Sequence, residues 1–292
     1  MLRQLGCEYR TDARFDALTT FHIGGPIPLL IVPDSTEKLC GVLRAFRENN
    51  TKFFILGRGS NLLAPDEGVD YPVILIAEGE FSAVSVDGNT VTAGAGALIS
   101  KLCTAALDAG LSGLETEYGI PGSVGGGLFM NAGAYGGELA DSLISVVSVD
   151  RTGELITRKK EELSFSYRHS SFTDNGEIVL RATFLLKQAP QEQIRAAMDD
   201  YMNRRKTKQP LNFPSAGSVF RRPEGFFAGK LIEDAELKGY AVGGACVSEK
   251  HAGFIVNTGG ATAKDVKELI AYIRKTVYDR FGVLLEPEVL TL

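Results

Sequence analysis

At 292 residues the chain exceeds one ordinary domain and can bury about 75% of its unfolded surface, and its 44% hydrophobic and 23% charged residues exclude a disordered or fibrous chain. A net charge of -5 opposes nucleic-acid binding, which asks for a basic face. Four scattered cysteines, Cys7, Cys40, Cys103 and Cys246, with three histidines, support neither a disulfide framework nor a metal site, and no apolar run approaches the ~18 residues of a membrane helix. The expectation is a cytoplasmic protein in a reducing compartment, without membrane insertion.

A first helix is expected over residues 34–49, capped by Asp34 with Glu37 closing a capping box, and with Leu39, Val42, Leu43 and Phe46 on one face. A strand at 53–56 runs into the loop Gly57-Arg58-Gly59-Ser60-Asn61, and a further apolar run, Val73–Ile76, completes a strand-helix-strand opening. Alternation from Ala83 around Asp87-Gly88 signals a hairpin, and a helix over 97–109 stops at Gly110. Val146–Val149 and Glu154–Thr157 read as a second hairpin, followed by an alternating strand at 178–186.

Pro190 opens a helix with Ile194, Ala197, Met198 and Tyr201 on one face and a basic end, Arg204 to Lys208, so a domain boundary is expected near Pro190. Beyond it lie a Gly- and Pro-punctuated stretch, a short helix near 229–235 and strands at 241–247 and 253–256. A helix from Thr262 follows, with Val266, Leu269, Ile270, Ile273 and Val277 inward, and the closing strand is expected at 283–290.

Glycine is the unusual count, at 33. The densest stretch runs Gly119-Ile120-Pro121-Gly122-Ser123-Val124-Gly125-Gly126-Gly127 and continues through Asn131-Ala132-Gly133 to Gly137. Backbone without Cβ atoms can press amides against a diphosphate; a glycine-rich turn region that merely packs tightly is the plainer alternative. Gly94-Ala95-Gly96 lacks the spacing and context of a dinucleotide fingerprint, and no phosphate-loop pattern occurs, so a dinucleotide here requires another architecture.

Six motifs occur in order: Thr20 to Pro26, Gly57 to Leu63, Gly119 to Gly137, Tyr167 to Phe172, Ala216 to Phe220 and Leu285 to Val289. Together they resemble the UDP-N-acetylenolpyruvoylglucosamine reductase family over nearly the whole chain. The resemblance implies an α+β fold: an FAD-binding region of vanillyl-alcohol-oxidase (PCMH) type in two subdomains, 1–77 and 78–189, and a C-terminal α+β substrate domain, 190–292, whose last strand near 283–292 can return to the FAD region. It is similar to the shorter, type II branch, because no inserted Tyr-bearing loop is visible. His22 stands where many relatives carry Arg or Lys and is read as peripheral, so FAD is expected to bind non-covalently.

The resemblance further implies NADPH as hydride donor and a UDP-sugar bearing an enolpyruvyl group as substrate, in peptidoglycan precursor synthesis. FAD contacts are expected from Gly57, Arg58, Gly59, Ser60, Asn61, Gly119, Ile120, Pro121, Gly122, Ser123, Gly125, Gly126, Asn131, Ala132 and Gly133. Arg168 and Glu288 are implied to stabilise the enolate, and Ser218 to donate a proton to carbon. Residue type alone makes Arg168 a surface charge and Ser218 a turn serine, and spacing alone does not separate Glu288 from Glu286. Lys208 matches a Lys-x-Pro position implied to meet substrate, although its cluster also complements a helix end; Lys250 and Asn257 are further candidates for that wall. Another flavoprotein of the superfamily, or a catalytically silent nucleotide-binding regulator, are the rival readings.

Overall fold

A computed structural model describes residues 2–292, and its packing divides the chain into two units, each assembled from three stretches. The first takes the residues up to Thr11, Leu29–Arg58 and Tyr71–Arg204; the second takes Asp12–Pro28, Gly59–Asp70 and Arg205–Leu292.

In the first unit a four-stranded sheet orders Glu8–Arg10, Leu30–Val32, Val73–Leu75 and Phe54–Leu56, the last three parallel. The helix Thr36–Glu48 makes the crossover and buries Leu39, Val42, Leu43 and Phe46, as its periodicity requires. Its start differs from expectation. Ser35 is the cap, accepting from the Lys38 amide at 3.4 Å, while Asp34 pairs with the Lys38 ammonium at 2.7 Å and Glu80 takes the Thr36 amide at 2.6 Å. The acid of a later loop thus displaces the local box. A five-stranded antiparallel sheet then orders Leu155–Lys159, Leu143–Val149, Ile178–Leu185, Thr90–Gly94 and Val84–Asp87, with the helix Ile99–Asp108 against it. One apolar core joins both sheets, from Ile31 and Ile74 to Phe172 and Phe184, and includes Ile194 and Met198 of the helix Gln191–Lys208. Because that helix packs there, the division into two compact units falls at Arg204–Arg205.

The second unit centres on the helix Ala263–Phe281, which buries Val266, Leu269, Ile270, Ile273 and Val277. Thr262 caps it with Asp265 in a reciprocal box, and Asp66 accepts the Ala263 and Lys264 amides at 2.7 and 3.1 Å. A small meander, Ala241–Val242, Ala245–Val247 and Ile255–Asn257, and the helix Ala228–Asp234 complete the layer. Thr20 ties the three stretches together: its amide donates to Gly59 O at 3.2 Å and its hydroxyl to Ser215 O at 2.7 Å. The strand expected over 283–290 reduces to Leu290–Thr291, parallel to Leu62–Leu63. Pro287 has no N–H to continue a ladder and pairs only by an isolated bridge to Phe220. Among the described residues no helix is long and apolar enough to cross a membrane.

Candidate active site

Within the first unit the glycine block turns sharply at Gly119, φ +90°, and then enters a short helix, Val124–Phe129, capped by Ser123. Much of this block is close-packed against protein. A Cβ on Gly125 would lie 2.8 Å from the Ala95 Cβ, and one on Gly127 2.5 Å from Leu139 Cδ1; the Val124 and Gly125 amides donate to Ala97 O and Ala95 O. The loop from Gly57 behaves differently. None of the amides from Gly57 to Asn61 donates to a main-chain carbonyl among the described residues, and a Cβ on Gly57 would lie 2.7 Å from Ser123 Oγ.

Asn131 is fully buried with φ +42°. Its amide nitrogen donates to Glu138 Oε2 at 2.6 Å and to Ser166 O at 3.1 Å, which leaves Oδ1 buried without a partner. Within the first unit, the unengaged Gly57 and Arg58 amides and the orphaned buried Asn131 acceptor are groups that fit the polar atoms of a bound flavin dinucleotide. Arg168 occupies the second position of the two-residue turn between Phe165–Ser166 and His169–Ser170, where φ is +56°. Its guanidinium donates to Gly133 O at 3.1 Å and lies over the Tyr167 ring. A left-handed arginine is a strained conformation of the kind that persists only when its surroundings over-determine it. Beneath the Gly133–Glu138 hairpin, Glu117 is 1% exposed; Thr116 Oγ1 donates to its Oε1 at 2.8 Å, and Oε2 has no partner. Burial raises its pKa to about 7.

In the second unit Ser218 and Glu288 come together. The segment 218–221 bridges Phe254 on one side and Pro287 on the other, and the Glu288 amide donates to Val219 O at 2.7 Å. Ser218 Oγ donates to Phe220 O at 3.3 Å. The neighbouring His251 accepts the Gly253 amide on Nδ1 at 3.1 Å, which puts its proton on Nε2, and burial, with Lys238 and Lys208 nearby, lowers its pKa. Lys208 is exposed, and the Lys250 ammonium donates to Lys206 O at the end of the long helix. Asn257 is committed elsewhere: its amide donates to Phe21 O and His22 O, and its oxygen accepts from Gly259 and Ala261. With all four valences engaged by main chain it latches loops. Asn61 similarly donates to Glu288 O at 3.2 Å, holding the closing segment. His22 is exposed with φ +54°.

Sequence reasoning overlooked Glu117, Glu138 and His251. Nothing in Glu115-Thr116-Glu117 separates the buried acid from an exposed one, because no strand or helix period runs through that stretch. A usable signal was the clustering of Asn131 and Glu138 on either side of a glycine hairpin.

Residues 209–292 match the family model described as UDP-N-acetylenolpyruvoylglucosamine reductase, C-terminal domain, and residues 27–158 match one described as FAD binding domain. The chain is 48% identical over 282 residues to the UDP-N-acetylenolpyruvoylglucosamine reductase of Clostridium novyi (strain NT), covering 97% of this chain and 91% of that one. It is 43% identical to the one of Caldicellulosiruptor bescii, covering 99% and 92%. The crystal structure of the reductase from Thermus caldophilus superposes with a TM-score of 0.83 at 39% identity, over 98% of each chain.

Proposed function

From the premise that the chain belongs to the UDP-N-acetylenolpyruvoylglucosamine reductase family, we propose that Arg168, Ser218 and Glu288 carry out the proton and charge management of its reaction. The protein is an FAD-binding oxidoreductase, a UDP-N-acetylmuramate dehydrogenase of peptidoglycan precursor synthesis. NADPH is the reductant in this reading, and the cytoplasm, where nucleotide sugars and NADPH are both present, is the compartment. Bound FAD supplies the hydride carrier.

Hydride arriving at the terminal methylene of the enolpyruvyl ether drives negative charge through the adjacent carbon into the carboxylate. Arg168, a permanent cation with a planar fork, holds that carboxylate and the charge it gains. Its strained turn and its tether to Gly133 O favour one fixed orientation, which is what stabilising a developing charge requires. Ser218 Oγ passes its proton to the carbon next to the carboxylate, forming the new C–H bond, and the resulting alkoxide is reprotonated from solvent. Glu288, half-buried beside the Ser218 segment, is the group assigned with Arg168 to stabilising the enolate. Gly57 to Asn61, Ser123 and Asn131 are the groups assigned to FAD, and Lys208 with Lys250 to the UDP diphosphate.

The observation that carries the assignment is the 2.7 Å bond from the Glu288 amide to Val219 O, which sets Glu288 beside the residue that follows Ser218 although the two segments are about 70 positions apart in the chain. Anaerobic stopped flow tests it. Ser218→Ala should bleach with NADPH at the wild-type rate and recolour with the enolpyruvyl UDP-sugar about 10² to 10⁴ times more slowly. Equal slowing of both half-reactions removes the proton-donor role.

A further inference from the structure

Arg168 is held in its turn by a second polar chain. The hairpin Gly133–Ala134 with Gly137–Glu138 pairs Glu138 directly with Gly133, the residue whose carbonyl receives the Arg168 guanidinium. From that position the Glu138 carboxylate accepts the Asn131 amide nitrogen at 2.6 Å, and the other hydrogen of that nitrogen goes to Ser166 O at 3.1 Å. Ser166 is the residue that opens the two-residue turn carrying Arg168. Across the turn, Ser170 Oγ donates to Phe129 O at 2.8 Å.

Asn131 and Arg168 are two of the six non-glycine residues with left-handed backbone among the described residues, at φ +42° and +56°. Such a residue is strained and needs surrounding contacts to over-determine it. Asn131 lies on the inside of the chain and is fully buried. Its amide cannot rotate away without breaking a charge-assisted bond to Glu138, and that bond fixes which face it offers to Ser166. Glu138 therefore reaches the arginine by two routes: through its backbone pairing to Gly133, and through its side chain via Asn131 and Ser166.

We propose that Glu138 is a positioning residue for Arg168, setting the guanidinium's direction through the Asn131 amide and the Ser166–His169 turn. The proposal rests on the reading of Arg168 as the group that meets the substrate carboxylate. It requires the loss of Glu138 to act only where Arg168 acts.

The experiment uses the FAD-loaded variants Glu138→Ala, Glu138→Gln, Arg168→Ala and the double variant Glu138→Ala/Arg168→Ala, each followed anaerobically through bleaching by NADPH and recolouring by the enolpyruvyl UDP-sugar. Misplacing a group by about 1 Å costs up to about 10²-fold, so Glu138→Ala should slow recolouring about 10- to 100-fold and leave bleaching within about twofold. Glu138→Gln, which keeps an acceptor without the charge, should fall between it and wild type, and it carries the test if the alanine variant does not fold. The double variant should be no slower than Arg168→Ala alone. Hydrogen exchange of the FAD-free chain should quicken over residues 165–170 in Glu138→Ala, a readout independent of turnover. Multiplicative losses in the double variant, equal slowing of both half-reactions, or unchanged exchange over 165–170 would each overturn the proposal. If Arg168→Ala itself recolours at the wild-type rate, the carboxylate role of Arg168 falls, while the exchange result still decides whether Glu138 holds the turn.

Discussion

Replacing Glu117 by glutamine should make the protein more stable, and increasingly so as the pH rises. The carboxyl is 1% exposed, with one oxygen bonded to Thr116 and the other to nothing, and its pKa rises from 4.5 to about 7, chiefly through burial. An acid whose pKa is higher in the native state binds its proton longer there than in the unfolded chain. Stability therefore falls as pH climbs from about 4.5 to about 7, and the full penalty applies above that window. With those two values and roughly 1.4 kcal/mol per pH unit, ionisation costs the native state under about 1 kcal/mol at pH 5 and about 3 kcal/mol at pH 8. Glutamine has no such term. Its amide adds a roughly pH-independent offset, so the quantity to read is the change in the mutant's advantage between the two pH values. Urea unfolding of the FAD-free protein at pH 5 and pH 8 should show that advantage growing by about 2 kcal/mol. Parallel stability curves across that range would mean that Glu117 is solvated or ion-paired in the native protein, and the burial argument would fail.

Three other outcomes follow from named contacts. Arg158→Ala strands Glu177, whose side chain is 5% exposed, and should cost about 3–5 kcal/mol at pH 7 by thermal melting. Arg158 holds the Glu177 pKa below its usual range, so the pair's contribution is present above the unfolded value of 4.5 and is lost as pH falls through the depressed native one; the cost of the mutation should shrink by pH 3. Asn257→Ala removes the latch to Phe21 and His22. It should destabilise by about 1–3 kcal/mol and leave the KM for the UDP-sugar unchanged well below the melting temperature; a raised KM would return Asn257 to the substrate wall. Gly57→Ala drives a Cβ to 2.7 Å from Ser123 Oγ, and should lower the FAD content read from the absorbance ratio of purified protein, whereas full occupancy would remove that loop from the cofactor site.

Periodic elements were legible because burial imposes the period that sequence displays. The faces of Thr36–Glu48 and Ala263–Phe281 could be named residue by residue. Short buried strands such as Leu30–Val32 carry no alternation and passed unnoticed. The Asp34 cap failed because Glu80 reaches the same helix end, at the Thr36 amide 44 residues away, and helix period alone does not say which core receives the face of Gln191–Lys208. The catalytic candidates became readable only through the family motifs, since Arg168 and Ser218 have no local pattern. Glu138 and Glu117 are held by folding contacts that no motif of theirs announces. Glycine density was an ambiguous sign: at Gly125 and Gly127 it reflects close packing, and at Gly57 to Asn61 it leaves amides unengaged.

The braiding of the second unit bears on how the protein is made and dissected. Phe21, Ile23 and Leu63 belong to the same apolar core as Leu269 and Ile273, and Leu62–Leu63 finds its strand partner only at Leu290–Thr291. During synthesis, residues 12–28 and 59–70 therefore emerge more than 200 residues before their last partners and wait with apolar side chains uncovered. A fragment cut at residue 209 to match the C-terminal family model would lack part of its own interior, so such an excision should yield an insoluble product, whereas co-expression with residues 1–208 offers the missing pieces back.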